Sequence, residues 1–133
     1  MEYRTSNITN RDGWEFQYSG KELAEAAESK RIYRQSRVDW WTEEQERITE
    51  ETKEKGLELV ESVASSYTNG AGAGKQMIVR PEYQKKLNEC HERLQKHMTA
   101  VREYDGWAQV LSANPDATLA LTYADWLFFF GKN

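Results

Sequence analysis

Apolar and polar side chains alternate near the start of the chain, as they do in a half-buried β-strand. Trp14, Phe16 and Tyr18 are separated by polar residues, so the three rings would share one face. The turn-forming residues 10–13 precede them, and we predict a β-hairpin over residues 2–18. Because an isolated hairpin is only marginally stable in water, its rings should pack on another element.

A long helix is predicted to follow over residues 19–67. Ser19 and Glu22 form a capping box, in which each side chain accepts a hydrogen bond from the backbone N–H of the other residue. Continuity through Gly56, a weak point in the helix interior, is left open. Apolar residues form an interrupted stripe along one side. They are Ala24, Ala27, Val38, Trp41, Ile48, Leu59 and Val63.

The clearest helical pattern covers residues 81–113, with Pro81 at the favoured first position. Mostly apolar residues recur there in steps of three and four, the spacing of a coiled-coil seam. The seam comprises Leu87, Cys90, Leu94, His97, Val101, Tyr104, Ala108 and Leu111. We predict a Gly-rich loop and short strand over residues 68–80, between the two helices.

The tail, residues 118–131, is predicted to contain a short strand and a C-terminal helix capped by Thr122. That helix would hold the run Trp126–Phe130, which needs burial. The predicted fold is therefore mainly α: a long antiparallel, coiled-coil-like helical hairpin, with the N-terminal β-hairpin and the aromatic helix packed at its open end. The first helix is expected to overhang the second by about 20 Å.

Composition narrows the class of protein. The chain has 133 residues, the size of one domain, and we predict a single domain over residues 1–133. Charged residues make up 30% but the net charge is −4, with five Trp and seven Tyr, which argues against a disordered chain. A lone cysteine, no secretory signal and no long apolar run favour a cytoplasmic protein that does not enter a membrane.

The Gly-rich loop fails the pattern of a phosphate-binding P-loop. Only three residues separate Gly70 from Gly74, and Gln76 stands where Ser or Thr would hold magnesium. A looser anion site using Lys75 and Arg80 remains an alternative to a plain connection.

Basic and aromatic residues also mix in the first half of helix 1. Arg31, Arg34 and Arg37 form a second candidate site for an anionic ligand or nucleotide. Basic and aromatic side chains together can bind nucleic acid, but the sequence pI is about 5.3, so nucleic acid is not an expected partner. We interpret the nearby rings instead as part of an interaction surface. Its predicted members are Tyr33, Trp40, Trp41 and Trp126.

No catalytic set is apparent. Cys90, His91 and His97 lack the further ligands of a metal site, and two of them belong to the predicted seam. We therefore expect no metal, no cofactor and no enzyme activity. The leading hypothesis is a non-catalytic helical protein-interaction module, a small adaptor or inhibitor that also self-associates into a homo-oligomer. The alternative is a binder of an anionic ligand or nucleotide.

Overall fold

A computed structural model describes residues 4–5, 16–62 and 74–132, with side chains for residues 16–60 and 75–132. Its elements are β1 (Arg4–Thr5), β2 (Phe16–Ser19), α1 (Gly20–Lys55), β3 (Leu57–Ser62), β4 (Gly74–Val79), α2 (Pro81–Ser112), β5 (Thr118–Leu121) and α3 (Tyr123–Phe130). The mainly α prediction is confirmed. The hairpin turn with Trp14, residues 63–67 of the first predicted helix, and the Gly-rich loop before Gly74 lie outside the described residues.

Helices α1 and α2 form the predicted antiparallel hairpin. Near the start of α1, Gly20 lies against Asn114, and further along Arg34 meets His97. The phenol of Tyr83, close to the start of α2, donates to Glu51 near the end of α1. Later positions on one helix therefore meet earlier positions on the other. All eight predicted seam residues are buried or half-buried, which confirms the heptad pattern.

Backbone contacts divide the chain into two compact units. We call Met1–Val38 with Lys96–Asn133 the sheet unit, and Asp39–Gln95 the ribbon unit. The prediction of a single domain is not tested by this division.

The sheet unit contains a three-stranded antiparallel sheet in the order β1-β2-β5. The predicted N-terminal hairpin is thus widened by the tail strand, with Phe16 opposite Leu121 and Ser19 opposite Thr118. The core of this unit draws on both chain ends and both long helices. Its buried members are Phe16, Tyr18, Leu23, Ala24, Ala26, Ala27, Tyr104, Ala108, Leu111, Leu121 and Phe129.

Side chains from other elements hold the aromatic helix α3 in this core. The Tyr104 hydroxyl donates to the Phe128 carbonyl at 2.6 Å, and Lys30 donates to the carbonyl of Gly131. The indole N–H of Trp126 donates to the Tyr18 hydroxyl at 3.0 Å. A buried carbonyl or indole N–H is costly to leave unpaired, so these bonds fix the orientation of α3.

Both predicted helix caps are present. The backbone N–H of Ser19 donates to Glu22 Oε1 at 3.0 Å, and that of Glu22 donates to Ser19 Oγ at 3.1 Å. Thr122 Oγ1 accepts from the backbone N–H of Asp125 at 3.2 Å, which opens α3.

The predicted end of helix 1 at residue 67 is wrong, because α1 ends at Lys55 and residues 57–62 form strand β3. The predicted overhang is consequently wrong as well. The backbone N–H of Gly20 donates to Ala117 and that of Lys21 donates to Pro115, so α1 begins level with the end of α2. The aromatic helix still packs beside the start of α1, as predicted, through the core of the sheet unit.

The ribbon unit consists of the adjoining parts of α1 and α2 and the two-stranded antiparallel ribbon β3–β4. The backbone N–H of Arg80 donates to the Gly56 carbonyl at 2.7 Å, which closes the ribbon where the helices meet it. No helix in the described part of the chain is long and apolar enough to cross a membrane.

Candidate interaction surface

The ribbon β3–β4 presents apolar side chains to solvent. In its register Leu59 lies directly opposite Met77, with Leu57 opposite Val79 two positions away. Because side chains alternate between the faces of a strand, these four residues share one face of the ribbon. Leu59 is 57% exposed and Met77 is 56% exposed, so the centre of this apolar face is open to water.

The ribbon also has backbone edges that no other described strand covers. Within the described residues β3 and β4 pair only with each other, so each strand has one edge without a strand neighbour. Such an edge carries unpaired N–H and C=O groups that can bind another extended chain. Two-stranded ribbons are marginal in water on their own, so this one depends on the packing at its base or on a partner.

That base is thin. Ile48 and Cys90 are the buried apolar side chains of the ribbon unit among its described residues, together with the buried Thr52. The Thr52 hydroxyl donates to the Ile48 carbonyl at 2.7 Å, which satisfies it locally. Gly56 fits closely here, since a Cβ at this position would lie 2.7 Å from Cγ of Tyr83.

Lys75 and Arg80, predicted as anion ligands, lie at the two ends of β4. Both side chains are exposed, and neither has an ion pair with another described residue. Lys75 is the second residue of β4 and Arg80 follows its last residue. A cation therefore flanks each end of the segment Gln76–Val79, in which three of the four residues are apolar.

The three arginines predicted as a second anion site are directed largely into contacts within the protein. Arg31 forms an ion pair with Glu28, and this hydrogen bond lowers the pKa of the Glu28 carboxyl. Arg34 Nη1 lies 3.0 Å from His97 Nδ1 across the seam. Since a guanidinium only donates, this ring nitrogen of His97 must accept. Arg37 is half-buried in the same unit.

Arg34 is one of the residues that interrupt the apolar stripe of α1. It lies between Ala27 and Val38 on the side of α1 that meets His97, and it is half-buried, so the helix places a partly buried cation where an apolar residue would be usual. Its Nε atom is buried without a hydrogen-bond partner. Lys30 on the same side donates to Gly131, and burial followed by the charge of Arg34 lowers the pKa of its ammonium group.

The predicted interaction rings have different environments. Tyr33, at 38% exposed, and Trp40, at 46%, present surface to solvent. Trp41 is half-buried, and its ring contacts Trp40 edge-on at 4.8 Å between centroids. Trp126 belongs to the core periphery of the sheet unit, where it packs against Phe16 and Phe130. Its surface is therefore mostly used within the protein.

A groove of about 600 Å³ runs between α1 and α2 in the sheet unit. Small side chains of Ala24, Ser29 and Ala108 form part of its wall, and Glu25 and Lys21 also line it. The ribbon unit has a smaller hollow of about 240 Å³, lined in part by Trp40, Arg47 and Cys90. The five predicted cations are absent from both linings. The smaller hollow does contain Arg47 and Lys86, but Glu44 and Glu89 line it as well.

The cysteine and histidines do not converge on one site. Cys90 is buried, and burial, with the nearby carboxylates Glu44 and Glu89, raises the pKa of its thiol. A raised thiol pKa makes a poor nucleophile at neutral pH. His91 is exposed and His97 is bonded to Arg34. In residues 16–62 and 74–132 no three metal-ligating side chains are grouped together.

No family model, curated protein or solved structure matches this chain.

The apolar face of the ribbon is the surface that sequence reasoning missed. The alternation of Leu57, Glu58 and Leu59, followed by the strand-favouring Val60, was the available signal for β3. It was obscured by the long run of helix-favouring residues before Gly56.

Proposed function

We propose that this chain is a non-catalytic protein-interaction module that binds a protein partner through the ribbon β3–β4. The observation that carries the proposal is the exposed pair Leu59 and Met77 at the centre of the ribbon's apolar face. Exposed apolar side chains that are adjacent on one face are typical of protein contact sites, whereas scattered ones are not. The flexible, unbranched side chain of Met77 also adapts readily to the shape of a partner.

The charges support protein binding over the alternative of a small anionic ligand. A site for phosphate or a nucleotide gathers several donors around one point. Arg31 and Arg34 are instead engaged with Glu28 and His97. Lys75 is the second residue of β4 and Arg80 follows its last residue, a spacing that suits an extended ligand better than a compact one.

Self-association is part of the same proposal, since a second copy is one protein that could cover the ribbon. Sedimentation across a range of concentrations measures it directly. A mass above 15.5 kDa that rises with concentration is expected if the ribbon packs on itself. A constant monomer mass would restrict the module to other partners.

The decisive experiment compares two double variants with matched exposure. Leu59→Thr with Met77→Thr removes the apolar pair while keeping residues that favour strands. The control, Ile32→Gln with Val110→Gln, replaces two residues of the sheet unit that are each 57% exposed by good helix formers. A partner recovered from lysate of the source cells is purified, and calorimetry then gives its affinity for the wild type and both variants.

We expect the ribbon variant to lose at least about tenfold in affinity, or ~1.4 kcal/mol, because interface residues at a desolvated centre carry most of the binding energy. The helix variant should bind as the wild type does. Equal affinities for all three proteins would contradict the proposal, and so would a loss confined to the control variant.

A further inference from the structure

We propose that the outer edge of β4 binds an extended, acidic and apolar segment of a partner protein, which adds to the ribbon as a third strand. This inference rests on the proposed function and names the partner's chemistry. The mode is β-augmentation, in which backbone hydrogen bonds give affinity and alternate side chains give specificity.

The first support is the geometry of β4. One edge of this strand is paired with β3 along its whole length, from Gly74 opposite Ser62 to Val79 opposite Leu57. Its other edge has no strand neighbour among the described residues. The strand contains no proline, so its backbone can pair without interruption.

The second support is the sequence that already pairs with β4. Strand β3 places Leu57 opposite Val79, Leu59 opposite Met77 and Glu61 opposite Lys75. The described side chains of β3 thus show which residue type lies on the inner edge of β4 opposite Met77 and Val79: an apolar one. A strand on the outer edge meets the same alternating side chains.

The third support is charge. Lys75 and Arg80 are exposed, and neither has an ion pair with a described residue. If two copies of β4 paired antiparallel over residues 75–80, Lys75 of each would face Arg80 of the other. Like charges directly opposite are destabilising, and lysine on an edge strand is a common protection against self-pairing. The same cations attract carboxylates at either end of an incoming segment.

The inference therefore specifies the ligand. Its core is three or four alternating apolar residues that cover Met77 and Val79, flanked by Asp or Glu near Lys75 and Arg80. Binding should weaken as salt is raised, because the two cations are exposed and therefore screened.

The test uses the full chain and a labelled, end-capped peptide with the sequence of residues 56–62 in which Glu replaces Gly56, Glu-Leu-Glu-Leu-Val-Glu-Ser. In the register of β3 its first Glu falls opposite Arg80 and its last Glu opposite Lys75. Fluorescence anisotropy measures its binding to the wild type and to the Lys75→Glu, Arg80→Glu double variant. A second peptide carries Lys in place of every Glu residue. We expect the acidic peptide to bind the wild type more than about tenfold tighter than the double variant. The basic peptide should show the reverse preference.

Backbone pairing is checked with N-methylated peptides. Methylation of alternate amides removes the donors on one edge of the peptide, so one of the two methylation patterns should abolish binding while the other is tolerated. Amide hydrogen exchange of β3 shows whether the peptide adds to the ribbon as a third strand or displaces β3. Protection of Leu57–Ser62 should persist in the complex, and its loss would overturn the proposal because the peptide would then have displaced β3.

Other outcomes separate this inference from the proposed function. Absence of peptide binding, with partner affinity still dependent on Leu59 and Met77, would overturn the edge site and leave the apolar face as the binding surface. Failure of both experiments would overturn both proposals. The edge proposal would also be overturned if the wild type formed a dimer and the Lys75→Glu, Arg80→Glu variant did not. The occupant of the edge would then be a second copy of the chain.

Discussion

The sheet unit and the ribbon unit each contain part of α1 and part of α2. They differ in the other elements that pack on these helices. In the sheet unit, β2, β5 and α3 converge on the helices and bury a cluster of rings and aliphatic side chains. In the ribbon unit the helices meet a two-stranded ribbon, and Ile48 and Cys90 are the buried apolar side chains that its described residues supply.

The difference follows from the side chains that each part of the chain contributes to its unit. Both chain ends bring aromatic residues to the sheet unit, and hydrogen bonds from Tyr104, Lys30 and Trp126 fix them in place. In the ribbon unit the described rings of Trp40, Trp41 and Tyr83 stay exposed or half-buried, and Leu59 and Met77 are exposed. We infer that the sheet unit provides most of the stability, whereas the ribbon unit keeps apolar surface that a partner can use.

A Leu→Ala substitution in each unit should give the largest difference in the free energy of unfolding. Leu23 is fully buried in the sheet unit, whereas Leu59 is 57% exposed in the ribbon. Leu23→Ala should lower the free energy of unfolding by about 2–5 kcal/mol, because it removes buried apolar surface and leaves a cavity. Leu59→Ala should cost less than about 1 kcal/mol, mainly through strand propensity.

Urea denaturation of the two variants measures both values. Similar losses for Leu23→Ala and Leu59→Ala would mean that the ribbon is as much a part of the core as the sheet unit is.

Two glycines offer an intermediate effect. Gly56→Ala places a Cβ 2.7 Å from Cγ of Tyr83 and 2.9 Å from Cα of Thr52, so it should destabilise the protein by about 1–3 kcal/mol. Gly106, in the middle of α2, has no atom within 4 Å of such a Cβ. Gly106→Ala should therefore stabilise by about 0.5–1 kcal/mol through helix propensity.

Thermal unfolding shows directly whether each substitution lowers or raises the stability of the protein. If Gly56→Ala were neutral, the close packing between the end of α1 and Tyr83 would be incorrect.

The helices, their caps and the seam were predictable from the sequence because each depends on local or periodic signals. Ser19 with Glu22 and Thr122 with Asp125 lie three residues apart, and the seam of α2 repeats at regular spacing. These patterns need no knowledge of distant residues.

The parts that were missed depend on partners far away in sequence. Strand β3 exists because it pairs with β4, and Arg34 lies in the seam because His97 accepts its hydrogen bond. Local helix propensity gives no indication of either pairing, which is why residues 57–62 were assigned to the helix. The exposed pair Leu59–Met77 could not be identified without the ribbon register.

Ionisation of the Cys90 thiol should have the smallest effect on stability, but folding should clearly slow the alkylation of this thiol. Its thiol pKa is raised in the folded protein by burial and then by Glu44 and Glu89, so the folded state favours the protonated form. The stability this contributes is present below the pKa of the unfolded thiol, about 8.5, and is lost as the pH rises above that value. Iodoacetamide at about pH 8 should therefore alkylate Cys90 slowly in the folded protein and rapidly in denaturing urea. Equal rates would show that Cys90 is accessible and ionised.

Amide hydrogen exchange tests the contrast between the two units most directly. The isolated protein is measured at low concentration, so that any self-association does not protect the ribbon. Because local opening is easiest where few apolar contacts are buried, strands β3 and β4 should exchange more than about tenfold faster than β2 and β5. That ratio corresponds to an opening free energy at least ~1.4 kcal/mol lower. Equal protection of the two pairs of strands would contradict the account, because the ribbon would then be held as firmly as the sheet.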